Sequence, residues 1–371
     1  MALRRPVRQI TDGGLSDARS AAIAMADPTS GPSASVAAIP KAELHVHLEG
    51  TAKPELVQRL AARNGLALPS GLLHDHETFA WRDFPDFLKT YDLAASAIRT
   101  AQDYRDVVLT YLSDCAAEGA VYVELIASPD HARAVGLTEE EHRAGIFQGI
   151  DDARAAHEIE GRVLVSVVRH LGVEAAERTA AEAAAMAHPY VVGFNMAGDE
   201  AGFPPPPFTR AFEIAHDAGL GCTVHAGEHA GPESVRQALA LPGVTRLSHG
   251  VRAVEEPELV RRLADGGIAL EVCPTSNVAL GVYPDYAAHP FGALRAAGVA
   301  VTLGSDDPPY FGASIGGEYG VAAEHFGLDD AALLELTRTA LRASFADDDL
   351  KQELLERVRS AADGVPCEKG A

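Results

Sequence analysis

The 371-residue sequence predicts a closed (β/α)8 barrel of the TIM type, and three observations support this fold class. From Pro40 onward, eight short apolar runs alternate with longer segments of helical spacing. Most of these runs are almost continuously apolar, which is typical of parallel strands buried on both faces. The runner-up, an open doubly wound sheet, would need a glycine-rich phosphate turn after an early strand, and neither the G-x-G-x-x-G pattern nor a P-loop occurs.

The eight predicted strands and the helices between them follow in a regular order. Strands are expected at residues 42–48, 121–127, 163–169, 191–197, 221–226, 245–249, 268–273 and 299–304. Helical spacing covers residues 103–118, 138–157, 173–187, 208–218, 231–241 and 255–265. Thr138, followed three residues later by Glu141, is a capping box and predicts the start of the second of these helices.

Two segments exceed a minimal barrel: a helical insertion at 54–100, after the first strand, and extra C-terminal helices at about 316–362. The insertion carries a cluster of large apolar side chains: Phe79, Trp81, Phe84, Phe87, Leu88 and Tyr91. This cluster fits either a small packed subdomain or a lid, because an insertion after a barrel strand lies on the catalytic face.

The chain is expected to form a single barrel domain over residues 39–362. Residues 1–38 are rich in Ala, Ser, Gly, Pro and Asp, and we expect a disordered or loosely attached leader there. Residues 363–371 are expected to be a flexible tail.

The composition limits the classes of binding partner and the cellular compartment that the sequence favours. A net charge of −22 opposes binding to nucleic acid or to anionic membranes and suits a neutral or cationic small molecule. No apolar run reaches the roughly 20 residues that span a bilayer. The four cysteines are far apart, without a C-x-x-C pair, which favours a cytoplasmic location.

Four residues at predicted strand ends have the chemistry of a metal site. His45 and His47 are two apart on the first strand, so their side chains project to the same face. His225 and Asp306 lie at the ends of the fifth and eighth strands, which converge with the first in a barrel. Three imidazoles and one carboxylate suit Zn²⁺ holding an additional water, whose pKa the ion lowers to about 7.

Three further polar residues follow the same strand ends. Glu228 lies three residues after His225, and Gly227 allows the turn that aims the carboxyl group at a ligand, where in its protonated form it donates to a substrate nitrogen. His249 is a candidate to orient or deprotonate the metal-bound water, and Asp307 to accept a substrate hydrogen bond. The alternative for His249 and Asp307 is that of satisfied core polar groups.

The remaining histidines receive no ligand role. His170 follows the third strand, where a supporting or structural role is expected. No role is assigned to the histidines predicted in loops or helices: His131, His157, His188, His216 and His289.

Five segments occur in the order of the motifs of one family: PKAELHVHLEG (40–50), MAGDE (196–200), TVHAGE (223–228), SHG (248–250) and SDDP (305–308). Over about Pro40 to Phe345 the chain resembles the adenosine deaminase family of the amidohydrolase superfamily. The resemblance implies a barrel with one Zn²⁺ per subunit. It also implies hydrolysis of adenosine or 2′-deoxyadenosine by water to inosine or 2′-deoxyinosine and ammonia. The zinc signature of nucleic-acid deaminases, P-C-x-x-C, is absent.

The resemblance also implies individual roles. The metal ligands of the family match His45, His47, His225 and Asp306. The proton donor to purine N1 matches Glu228, and the water-orienting base matches His249. Substrate contacts match Asp307 (at N7), Gly198 (at N3), His47 and Glu49.

The substrate is less clearly indicated than the reaction, because the family's adenosine deaminases usually carry Asp, near the ribose 5′ hydroxyl, where this chain has Glu49. The segments 49–51 and 305–312 are similar to the adenine deaminase branch, whereas 197–200 and 225–232 are similar to the nucleoside branch. One extra methylene in a binding site is worth about 1–3 kcal/mol of discrimination. The alternative substrate is therefore adenine, or a 5′-modified adenine nucleoside such as aminodeoxyfutalosine.

Two more distant alternatives remain at this stage. Amide or ester hydrolysis on the same barrel would not need a residue placed as Glu228 is. A binding protein built on a deaminase fold would be expected to have lost a metal ligand, and all four are present.

Overall fold

The computed structural model describes residues 34–74 and 77–362. The predicted leader therefore lies outside the described residues up to position 33, and the predicted tail at 363–371 lies outside them entirely. The last five residues of the expected leader form a short helix, Ala34–Ala38, in which Val36 is buried.

The barrel prediction is confirmed by one sheet of eight parallel strands with helices between them. Numbered along the chain, the ten strands are β1 Lys41–His47, the hairpin β2 Leu73–His74 and β3 Thr78–Phe79, β4 Ala120–Ala127, β5 Glu160–Val168, β6 Val191–Ala197, β7 Gly221–Ala226, β8 Val244–His249, β9 Ala269–Val272 and β10 Ala300–Leu303. The barrel order is β1-β4-β5-β6-β7-β8-β9-β10. The sheet approaches closure where the amide of His47 donates to the carbonyl of Asp306 over 2.9 Å.

Helices connect the strands as the spacing predicts. They are α1 Ala34–Ala38, α2 Pro54–Arg63, α3 Phe84–Ala95, α4 Ala101–Ala117, α5 Pro129–Ala134, α6 Glu139–His157, α7 Val173–Ala185, α8 Thr209–Asp217, α9 Pro232–Ala238, α10 Pro257–Asp265, α11 Pro274–Ala279, α12 Phe291–Ala296, α13 Pro308–Phe311, α14 Ile315–Phe326, α15 Asp330–Ala343 and α16 Asp348–Ala362. The capping box is present, because the Thr138 hydroxyl accepts from the Glu141 amide and the Glu141 carboxylate accepts from the Thr138 amide.

The insertion between β1 and β4 contains α2, the hairpin β2–β3 and α3. Its aromatic cluster packs on the segment after β10: the Phe79 ring stacks on Tyr310 at 4.1 Å between centroids, and Trp81 packs edge-on against Phe311. Phe87 and Tyr91 of α3 also line the cavity at the C-terminal ends of the strands. The insertion thus has both features considered from the sequence, a packed core and a position over the barrel mouth.

In the described part of the chain, no helix has the length and apolar character needed to cross a membrane.

Candidate metal centre and active site

The C-terminal ends of the barrel strands surround one cavity, and most of the predicted site residues line it. These are His47, Gly198, His225, Glu228, His249, Asp306 and Asp307. His45 is fully buried next to them, with its ring centroid 4.7 Å from that of His225. Glu49 is not among the lining residues.

Three contacts among the four predicted metal ligands have the spacing that a small cation requires. His47 Nε2 is 3.1 Å from His225 Nε2, and Asp306 Oδ1 is 3.2 Å from His45 Nε2 and 3.3 Å from His47 Nε2. Zinc bonds of about 2.0–2.1 Å in a tetrahedron place ligand atoms about 3.3 Å apart. These three distances match that spacing. The buried group whose ligand atoms all lie within 4.8 Å of one another is His45, His225, His249 and Asp306, whereas His47 groups with Asp306 and Asp307.

Acceptor oxygens behind two of these imidazoles orient their rings. His225 Nδ1 is 3.0 Å from the Met196 carbonyl oxygen, and His45 Nδ1 is 3.3 Å from a Glu271 carboxylate oxygen. Both partners are acceptors, so both Nδ1 atoms carry hydrogen. His225 Nε2 then presents a lone pair to the metal site, and His45 Nε2 does so once that ring has lost its second proton. Glu271 is in turn held by the buried Arg246 guanidinium at 2.7 Å.

The protonation states of His45 and Asp306 show how an ion would bind at the metal site. Burial opposes protonation of His45, yet Asp306 and Glu271 raise its pKa to about 10. Burial also opposes ionisation of Asp306, but hydrogen bonds from His45 and His47 lower its pKa well below the usual range. A metal ion must therefore displace a proton from His45. The set of three histidines and one aspartate is one that zinc accepts.

His249 is held in one tautomer by a chain of hydrogen bonds. The Phe291 amide donates to His289 Nδ1 (3.2 Å), His289 Nε2 donates to Asn277 Oδ1 (3.1 Å), and Asn277 Nδ2 donates to His249 Nδ1 (3.2 Å). Burial lowers the pKa of His249 to about 3, so the imidazole is neutral and its hydrogen lies on Nε2. That nitrogen is 3.6 Å from Glu228 Oε2 and presents a donor, so the ring lacks the free Nε2 lone pair that a metal ligand needs. Of the two roles considered from the sequence, this geometry favours orienting a water over deprotonating it.

The loop that carries Glu228 is fixed by a carboxylate that the sequence-based reasoning did not single out. Gly227 has φ +73°, the turn expected from the sequence. Glu200 accepts hydrogen bonds from five donors on this loop and the next helix: the amides of Gly227, Glu228, His229 and Ala230 and the hydroxyl of Ser234, at 2.5–3.1 Å. Burial, with the charges of Asp306 and Glu200, raises the pKa of Glu228 well above its usual range, so its carboxyl group holds a proton.

Asp307, expected from the sequence to accept a substrate hydrogen bond, lines the cavity. Burial and the charge of Asp306 raise the pKa of Asp307 well above its usual range, which makes the carboxyl group a donor at neutral pH. Its position depends on Gly50, where a Cβ atom would lie 1.8 Å from Asp307 Oδ1.

Glu49 lies outside the cavity wall. Its carboxylate is 1% exposed and accepts from the Tyr104 hydroxyl at 3.3 Å and from the Ser128 amide at 3.2 Å. The chain leaves the strand geometry directly after His47 and forms a 3-10 helix over Glu49–Thr51, which turns the side chain toward β4.

Several supporting residues were not predicted. Glu271 and Asn277 could have been noticed as polar residues within or just after an apolar strand, and Glu200 closes the MAGDE segment. Their partners could not be read from the chain, because Glu271 is 226 residues from His45 in sequence.

Comparisons with known proteins find relatives that match most of the chain. A family model described as adenosine deaminase matches residues 40–361. An adenine deaminase from Chelativorans sp. (strain BNC1) is 49% identical over 319 residues, which cover 86% of this chain and 98% of that protein. The crystal structure of an adenine deaminase from Arthrobacter aurescens superposes with a TM-score of 0.81 at 29% identity, covering 88% of this chain and 99% of that one. A zinc-bound amidohydrolase from Burkholderia ambifaria superposes with a TM-score of 0.79 at 26% identity, covering 89% and 93%.

Proposed function

Because this chain belongs to the adenosine deaminase family, we propose that it hydrolyses the C6 amino group of free adenine, giving hypoxanthine and ammonia. The chain is a hydrolase of adenine-type substrates. Relatives that are 48–49% identical to it are named adenine deaminases. The expectation of adenosine or 2′-deoxyadenosine as the main substrate gives way to the alternative that the sequence left open.

The position of Glu49 carries the choice of the free base. The resemblance assigned residue 49 to a ribose 5′ hydroxyl, yet its carboxylate is buried and already bonded to Tyr104 and Ser128. A nucleoside would have to break these buried contacts to use the carboxylate. Free adenine has no ribose hydroxyl, so it can bind without breaking these contacts.

The four predicted ligands would hold the metal. These would be His45, His47, His225 and Asp306, and the contacts of 3.1–3.3 Å from His47 to His225 and from Asp306 to His45 and His47 support this set. When bound, the ion supplies a water whose pKa is lowered to about 7.

The other side chains have proton states that suit an adenine ring. Glu228, held protonated by its burial, donates to N1 and so makes C6 more electrophilic. Asp307, also protonated, donates to N7, and the backbone at Gly198 faces N3. The Nε2–H of His249 orients the attacking water. Water adds to C6, the C6–N bond breaks, and the amino group leaves as ammonia with one proton of that water. The proton given to N1 remains on the 6-oxopurine product, and the second proton of the water restores the Glu228 carboxyl group.

Steady-state kinetics on the zinc-loaded protein test the proposal. Adenine, adenosine, 2′-deoxyadenosine and aminodeoxyfutalosine are compared by the ultraviolet blue shift of the purine and by ammonia release. We expect kcat/KM for adenine to exceed that for each nucleoside by at least about 100-fold. A preference for any nucleoside, or no turnover of any 6-aminopurine, would overturn the assignment.

A further inference from the structure

The proposed orientation of adenine fixes the part of the barrel that meets N9, and this inference rests on the proposed function. Glu228 follows β7 and meets N1, Gly198 follows β6 and meets N3, and Asp307 follows β10 and meets N7. On the purine perimeter N9 lies between N3 and N7. In the barrel, the strands between β6 and β10 on that side are β5, β4 and β1. The N9 atom is therefore directed at the ends of these three strands.

Two unused polar atoms lie in this sector. Ser128 directly follows β4, and the amide of His131 donates to its carbonyl, so both residues belong to the first turn of α5. Both side chains line the cavity. The Ser128 hydroxyl oxygen and His131 Nδ1 are buried and have no hydrogen-bond partner among residues 34–74 and 77–362. Buried polar atoms of this kind are costly unless a ligand uses them.

Asp92 on α3 determines which His131 nitrogen is available. Its Oδ1 lies 2.9 Å from His131 Nε2, and a carboxylate accepts, so Nε2 carries the hydrogen. In the neutral ring Nδ1 is then an acceptor. His170, after β5, also has an unpartnered Nδ1, but none of the described residues hydrogen-bonds its ring to fix the tautomer.

We propose that His131, oriented by Asp92, accepts a hydrogen bond from N9–H of the free base and that Ser128 completes this N9 subsite. A nucleoside has carbon on N9 and no hydrogen to give, so it leaves His131 Nδ1 buried and unpaired. Sites that hydrogen-bond a substrate N–H reject analogues that lack it far more strongly than sites that only measure size. Glu49 supports the subsite by accepting the Ser128 amide.

The protonation state of His131 sets the assay conditions. Burial opposes its protonation, but Asp92 and Glu49 raise its pKa above the ordinary value. In the protonated His131 ring, Nδ1 carries hydrogen and would face the N9–H donor of adenine. Raising the pH of the assay favours the neutral ring.

The test compares adenine with 9-methyladenine, which keeps the ring but lacks N9–H. We expect His131→Leu to lower kcat/KM for adenine about 10- to 100-fold, mainly through KM, while 9-methyladenine changes less than about threefold. His131→Asn, whose amide oxygen can take the place of Nδ1, should recover part of the loss. Asp92→Asn, which keeps the shape, should raise KM for adenine alone.

Matched controls separate this role from a structural one. His157→Leu removes an exposed imidazole at the end of α6 and should change neither substrate. Zinc content and Tm are recorded for every variant. The inference would be overturned if His131→Leu left the ratio of kcat/KM for adenine to that for 9-methyladenine unchanged. It would also be overturned if His170→Leu, and not His131→Leu, lowered this ratio. If the unmodified protein does not deaminate adenine at all, the proposed function fails first and this inference fails with it.

Discussion

Replacing Glu200 by glutamine should loosen the loop that carries Glu228, and the cost can be worked from its hydrogen bonds. One carboxylate oxygen accepts the amides of Glu228, His229 and Ala230, and the other accepts the Gly227 amide and the Ser234 hydroxyl. Glutamine keeps one oxygen, which can serve the three amides, and the Ser234 hydroxyl can turn to accept from the new NH₂ group. The Gly227 amide then loses its acceptor. The lost hydrogen bond from Gly227 to a charged group is worth about 1.5–3 kcal/mol. Each of the three amide hydrogen bonds to the remaining oxygen weakens by about 0.5–1 kcal/mol when the acceptor loses its charge. The free energy of unfolding should therefore fall by about 3–6 kcal/mol.

The same change should lower catalysis more than binding. Glu228 lies within the loop, and a displacement of about 1 Å at a reacting group costs about 100-fold in rate. We expect kcat for adenine to fall about 10- to 100-fold with a smaller change in KM, because N7 and N3 are met by residues outside this loop.

Urea unfolding followed by the fluorescence of Trp81, the single tryptophan, measures the stability change, and steady-state kinetics measure the rate. The matched control is Glu258→Gln, which removes an exposed partner of Arg261 and should leave both quantities unchanged. If Glu200→Gln loses less than about 1 kcal/mol and keeps its kcat, the positioning role of Glu200 is refuted.

Two more changes test the proton positions in the site. Asn277→Asp gives His249 Nδ1 an acceptor, so the imidazole hydrogen moves from Nε2 to Nδ1, and kcat for adenine should fall at least about 100-fold. Nitrogen NMR of the His249 ring reports the tautomer, and full activity with the hydrogen on Nδ1 would contradict the orienting role. Zinc affinity of the chelated protein should fall about tenfold per unit of decreasing pH between about pH 9 and pH 7, because His45, with a pKa of about 10, must release a proton to bind the ion. Competition with a chromophoric chelator measures this slope, and Glu271→Gln should make it shallower, since Glu271 helps to raise that pKa.

Local patterns were enough to predict the barrel and to select its strand-end residues. The strands alternate with helices at short range, and His45 and His47 are neighbours on one strand face, so no long-range information was needed. His225 and Asp306 followed because the ends of parallel strands in a barrel converge.

Three residues have surroundings that strand alternation could not predict. The resemblance assigned Glu49 to a substrate contact, but β1 ends at His47 and the chain turns into a 3-10 helix that directs this side chain away from the cavity. His131 received no role because it was predicted outside a strand. The six-residue helix α5 begins two residues after β4, so its first turn is still at the cavity. The tautomer of His249 depends on Asn277 and His289, whose contacts exist only after the barrel has closed.

With the proposed roles, the cavity has the hydrogen-bonding pattern of free adenine. Three ring nitrogens of adenine, N1, N3 and N7, are acceptors, and they meet the protonated carboxyl groups of Glu228 and Asp307 and the backbone at Gly198. The fourth, N9, is a donor in the free base and meets His131, the group whose free nitrogen accepts. Attaching ribose removes only this last match. The discrimination between base and nucleoside therefore depends on one hydrogen atom and on the Asp92 carboxylate that keeps His131 ready to receive it.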